Sequence, residues 1–222
     1  MTSSTVEDYV KGIYMLQQDS PAGEATVVRL AALLGVTKGS VTAMVRKLRE
    51  AGLAKAERYG GITLTPKGRR LALDMIRRHR LIEVFLVDTL GFDWSEVHEE
   101  AERLEHALSA KVIDRLDAFL NHPQIDPHGD PIPDARGKVE QGDVVPLADL
   151  ARRDRAVIAR ISDQDAGFLD FAARHGLRPG ARVEVVDVAP EADSITVRVG
   201  RRAAVGLSLS AAARVFIASE SV

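Results

Sequence analysis

The stretch ALLGVTKGSVTAMVRKL, residues 32–48, narrows the fold more than any other part of the chain. A helical run over about Ala25–Leu34 meets Gly35, a residue that closes helices because it accepts a left-handed backbone. A second run starts near Thr37 or Lys38 and lasts to Glu50, with Gly52 behind it. Two short helices joined by LGVT predict a helix-turn-helix. An earlier helix over about Thr5–Gln17 would bury Val6, Val10, Ile13 and Tyr14. After the pair, LAKAERYGGITLT holds two strand-like runs around Tyr59-Gly60-Gly61, a hairpin pattern. Helix, helix-turn-helix and hairpin, in that order, predict a winged helix.

Thr65-Pro66 then supplies an N-cap and a first-turn proline to a long helix expected to reach about Leu90. Shorter helices are expected over about Trp94–Ala107 and Lys111–Leu120. The span 123–146 is rich in Pro, Gly and Asp and reads as a linker. Beyond it, RAVIARI, ARVEVVDV, SITVRV and RVFIA are short β runs, with one helical insert near Asp163–Arg174. That pattern predicts a small β-barrel.

Charge is unevenly spread along this plan. Residues 24–80 hold 13 Lys/Arg against 4 Asp/Glu, whereas residues 91–130 hold 10 acids against 3 bases. A basic segment followed by an acidic one predicts a polyanion partner at one end and a cation in the middle. The chain has no cysteine, which removes disulfides, thiolate metal sites and cysteine nucleophiles. Its longest apolar run falls short of a membrane span and MTSSTVEDYV lacks a signal-peptide pattern, so no membrane partner and a cytoplasmic location are expected.

The acidic segment centres on EVHEEAERLEHALS, residues 96–109. On a helical wheel His98, Glu102, Glu105 and His106 share roughly a quarter of the circumference and border the apolar arc of Val97, Ala101, Leu104 and Leu108. Glu99, Glu100 and Arg103 fall on the outer side. The long helix repeats the anomaly: His79 and Glu83 lie inside its stripe of Met75, Ile76, Ile82, Leu86 and Leu90. A buried carboxylate without a partner costs several kcal/mol or a large pKa shift. Arg77, Arg78 and Arg80 point elsewhere on the wheel. A divalent cation would serve both helices, and a buried His–Glu network is the alternative. With more carboxylates than imidazoles and no thiolate, the donor set is hard and suits Mn²⁺ or Fe²⁺ better than structural zinc.

The residues VEDYVKGIYML, VTKGSVTAMVRKL, LTPKGRRLA, RRHRLIEVFL, VHEEAERLEHALS and DPHGDPIP resemble the diphtheria-toxin-repressor-like family of metal-dependent transcription regulators, over nearly the whole chain. The resemblance implies a mostly α protein with a small β part. Its parts are a winged helix-turn-helix DNA-binding domain over 1–73, a helical metal-binding and dimerisation domain over 74–140, and an SH3-like β-barrel over 141–222. It implies a homodimer with two metal sites per subunit. His79, Glu83 and His98 match the ancillary site; Glu105 and His106 match the primary site, completed by Glu102 and by Asp8 of the first helix. Iron-responsive members carry a cysteine and a methionine where this chain has Glu102 and Asp8, so the pair is similar to the manganese-responsive branch, with Fe²⁺ as the alternative. Short manganese regulators carry a glutamate where this chain has Lys11, and there the residue matching His79 can join the manganese cluster. In three-domain members the barrel lends further ligands; Asp163, Gln164 and Asp165 are the nearest here, Asp163 taken first.

At the DNA end, recognition helices present their N-terminal residues to the major groove. Thr37, Lys38, Gly39, Ser40 and Thr42 are the expected contacts to double-stranded operator DNA, with Arg46, Lys47, Arg58 and Lys67 on phosphates. Ala43 could touch only a thymine methyl. The expected function is a Mn²⁺-activated repressor of metal-uptake genes, in which metal on Asp8 ties the first helix to the dimerisation helices and sets the spacing of two winged helices. The alternatives are an Fe²⁺-responsive regulator and a winged-helix protein with a purely structural metal. A metallohydrolase is the remote third, since no nucleophile or oxyanion motif accompanies the ligands and no enzyme activity is expected.

Overall fold

The computed structural model describes residues 3–18, 20, 22–56, 61–140, 142–162 and 165–218. The chain divides into two compact units, one of Met1–His79 with Pro133–Lys138, the other of Arg80–Ile132 with Val139–Val222.

In the first unit α1 (Ser4–Gln18) packs its Tyr9, Val10, Ile13, Tyr14 and Leu16 inward, while Val6 is only partly covered. α2 (Val27–Leu33) starts later than expected, because Thr26 accepts from the Arg29 amide and Ala25 is drawn into a bridge with Ile62. α3 (Lys38–Glu50) is capped by Thr37, whose hydroxyl accepts from the Ser40 amide at 3.1 Å. The bend from α2 to α3 is 107°, a helix-turn-helix angle. β1 (Ala54–Ala56) and β2 (Ile62–Leu64) pair antiparallel, Ala54 opposite Leu64. Thr65 opens α4 (Pro66–Asp88), its hydroxyl accepting from the Gly68 amide. The helix stops before Leu90, which is 55% exposed and therefore leaves the apolar stripe expected for it. Among the described residues no single helix is long and apolar enough to cross a membrane.

In the second unit the C-terminal part of α4 packs on α5 (Val97–Glu105) and α6 (Ala110–Phe119) through Leu81, Ile82, Val84, Val97, Ala101 and Ile113. A six-stranded antiparallel sheet follows, with β3 (Val144–Pro146), β4 (Arg155–Ile161), β5 (Arg182–Ala189), β6 (Ser194–Val199), β7 (Val205–Ser208) and β8 (Val215–Ala218). Its spatial order is β3-β8-β4-β5-β6-β7, and α7 (Ala166–His175) and the single-turn α8 (Leu209–Ala212) complete this SH3-like module. β3 and β7 lie outside the four expected strands; at three and four residues they carry too little alternation to show.

The residues around Asp126 are not a bare linker. Asp126 Oδ1 accepts from the His128 and Asp130 amides, a closed Asx turn. Gly129 has φ +89°, and a Cβ there would meet Ala159 O at 2.1 Å, so the loop lies against β4. The Ile161 amide donates to His128 O at 2.8 Å, and Arg160 Nη1 to Asp130 at 2.9 Å. Trp94 joins the core of the SH3-like module, which is why α5 starts at Val97 rather than at Trp94.

Candidate metal centre and nucleic-acid interface

α5 sorts its charges by face, as its periodicity requires. Glu105 is fully buried, and the side chains of His98, His106 and Glu102 are 21%, 22% and 40% exposed. On the outer face Arg103 pairs with Glu99 at 3.6 Å and with Glu100. Glu105 Oε1 lies 3.7 Å from His106 Nε2, and Glu102 Oε1 lies 3.8 Å from His98 Nε2. The other nitrogen of His98, Nδ1, is 3.5 Å from Glu83 Oε1. Glu83 is itself buried, one turn along α4 from the equally buried His79.

Asp126 and His128 join Glu83 there. These three buried residues offer ligand atoms that all lie within 4.8 Å of one another. The Nδ1 of His128 is the atom it could offer a metal: its Nε2 donates to Trp94 O at 2.9 Å and its ring stacks on the indole, which leaves the lone pair on Nδ1. Asp126 is held well above the usual carboxylate range, first by burial and then by the charges of Glu83 and Asp130, against which Arg80 and a backbone hydrogen bond act. That crowding of negative groups is the electrostatics a divalent cation relieves. Neither residue is among the ligands expected from the sequence, because a Pro/Gly-rich composition signals a linker. An acid and a histidine two apart inside it were the available signal.

Arg77 donates to Pro133 O at 3.0 Å, Arg78 pairs with Asp74 at 2.9 Å, and Arg80 lies 3.4 Å from both Asp126 and Asp130. Asp8 and His79 belong to the first unit, Asp8 half-buried on α1 and His79 with its Nδ1 at 3.1 Å from Lys11 Nζ. Asp163 and Gln164 lie outside the described residues. Asp165 caps α7, its Oδ1 accepting from the Phe168 amide at 2.8 Å.

The helix-turn-helix exposes Thr37, Lys38, Gly39, Ser40, Thr42, Arg46 and Lys47, all seven on α3 or its cap. Three hydroxyls have internal partners as well: Thr37 caps the helix and lies 2.9 Å from Ser40 Oγ, and Thr42 donates to Lys38 O at 2.9 Å. Lys67 donates to Ala51 O at 3.2 Å. Arg58 lies outside the described residues.

Three family models match the chain. They are the iron dependent repressor N-terminal DNA binding domain over residues 1–62, the iron dependent repressor metal binding and dimerisation domain over 65–134, and the FeoA domain over 145–219. The iron-dependent repressor IdeR of Mycobacterium tuberculosis is 36% identical over 196 residues, covering 82% of this chain and 83% of that protein. The HTH-type transcriptional regulator MntR of Bacillus pumilus is 40% identical over 116 residues, 52% of this chain and 78% of that one. A solved manganese-dependent transcriptional repressor in complex with manganese is 40% identical, covers 96% of this chain and 99% of its own, and superposes with a TM-score of 0.90.

Proposed function

The chain belongs to the iron-dependent repressor family of metal-dependent, DNA-binding transcription regulators, and from that premise we propose that it is a manganese-activated repressor acting as a homodimer. One observation carries the choice of metal. The proposed primary set of Asp8, Glu102, Glu105 and His106 is three carboxylates and one imidazole, a hard donor set in a chain without cysteine. The 40% identity to a manganese-dependent repressor over nearly the full chain supports the same choice.

In this reading His79, Glu83 and His98 hold a second ion, and Asp126 and His128 extend that set beside Glu83. A divalent cation at these places supplies the positive charge that the clustered carboxylates lack. Without it, Asp8, Glu102 and Glu105 repel one another, and α1 is held less firmly. Lys38, Arg46 and Lys47 supply charge for phosphates, and Gly39 and Ser40 a smooth helix start for close approach to base edges. Arg58 and Lys67 are proposed phosphate contacts, and Asp163 a proposed ligand. Promoters of metal-uptake genes are the proposed targets.

A gel-shift titration tests the reading. A duplex selected by the protein from a random pool in the presence of Mn²⁺ serves as probe, titrated with Mn²⁺, Fe²⁺, Zn²⁺ and chelator. Mn²⁺ should raise affinity, and chelator should remove the gain. Binding indifferent to chelation makes the metal structural; activation by Fe²⁺ at lower free concentration than Mn²⁺ moves the chain to the iron-responsive branch.

A further inference from the structure

His79 is 5% exposed, and its Nδ1 lies 3.1 Å from the Nζ of Lys11, which is 7% exposed. An ammonium carries three donors and no lone pair. Nδ1 must therefore accept, and the proton of the neutral ring sits on Nε2. Both nitrogens are then closed to a metal, one by Lys11 and the other by its own hydrogen. The opposite tautomer would free Nε2 only by pointing an N–H at an ammonium. His128 has the reverse arrangement: its Nε2 donates to a carbonyl, 2.9 Å away, and Nδ1 keeps its lone pair. Two buried histidines of one protein are thus prepared in opposite senses.

We propose that Lys11 is a competitor for His79 built into α1: the ammonium on Nδ1 and a metal ion on His79 exclude each other. Loading of His79 requires Lys11 to withdraw, so a residue of the first helix sets how tightly the second ion is held. The inference rests on the assignment of His79 as a ligand made above. It goes beyond that assignment by naming a residue that sets the affinity of the second ion without touching the metal.

The test is Mn²⁺ binding to the full chain by calorimetry, comparing the parent with Lys11→Met, Lys11→Arg and His79→Ala, together with ring ¹⁵N NMR of the metal-free parent. Lys11→Met should tighten the second equivalent by roughly tenfold to a hundredfold, the worth of one charge-assisted hydrogen bond. Lys11→Arg should stay near the parent, since a guanidinium also only donates. Equal second-equivalent affinity in the parent and Lys11→Met, with that equivalent lost in His79→Ala, overturns the proposal alone. Two parental equivalents in His79→Ala overturn the ligand assignment and the proposal with it. The NMR arm needs no variant: an unprotonated Nδ1 on His79 is expected, and a protonated one overturns the proposal.

Discussion

Glu105 is fully buried while Glu99, six residues earlier on the same helix, has an 81% exposed side chain. The helical repeat alone separates them, and the cost of burying a carboxylate makes the inner one informative. Asp8 is the hardest of the proposed ligands to read, because an acid near the start of a helix ordinarily serves the helix dipole. Asp8→Met should abolish most of the Mn²⁺-induced gain in DNA affinity, a gain of about 5–150-fold for coupling of this type. An equal gain in mutant and parent, measured by gel shift at fixed Mn²⁺, would remove Asp8 from the site. Gly39 allows a cleaner separation of folding from binding. A Cβ at that position meets only Thr37 Oγ1, at an ordinary 3.7 Å. Gly39→Ala should therefore raise stability by roughly 0.5–1 kcal/mol, as the change does within helices. It should also weaken DNA binding if the backbone there approaches the duplex. A thermal melt and a gel shift on the same sample decide it, and unchanged DNA affinity would take Gly39 off the interface.

At the scale of elements, α3 is legible to within a residue because its signals are local: a Thr cap at one end, a glycine just past the other. The edges of α2 and α5 are not, and in both cases a contact distant in sequence decides them. Ala25 is taken by Ile62, and Trp94 by the SH3-like module. The loop of Asp126 and His128 is the larger example. Its composition is that of a linker, yet its Asx turn, its glycine and its contacts with β4 hold it in one place, with Asp126 and His128 beside Glu83. Gly129→Ala combines a left-handed backbone with a clash against Ala159 O and Arg160. It should cost about 1–3 kcal/mol in urea unfolding and loosen amide exchange at Ile161. A stability within 0.5 kcal/mol of the parent, on the order of a neutral surface change, would mean that the loop is not held there.

For the whole molecule, the proposed dimer has its apolar surface on α6. Val112 and Phe119 are 46% and 63% exposed, with Phe119 edge-on to Phe85 at 6.3 Å. Phe119→Asp should leave the thermal melt of the subunit little changed, produce monomers in sedimentation, and abolish high-affinity operator binding. A dimeric Phe119→Asp would place the interface elsewhere. By itself the sequence determined the order of the helices α1 to α6, the winged helix, the basic and acidic segments, and the kinds of donor atoms on α4 and α5. All of these follow from patterns repeating over two to four residues, where neighbours in the chain are neighbours on a face. Tertiary structure alone decided that Asp126 and His128 join Glu83, that Trp94 O orients His128 across 34 residues, and that Lys11 meets His79 across 68. Such pairings are chosen by how elements pack, and packing depends on the shape of both partners, so neither sequence segment carries a periodic trace of the other.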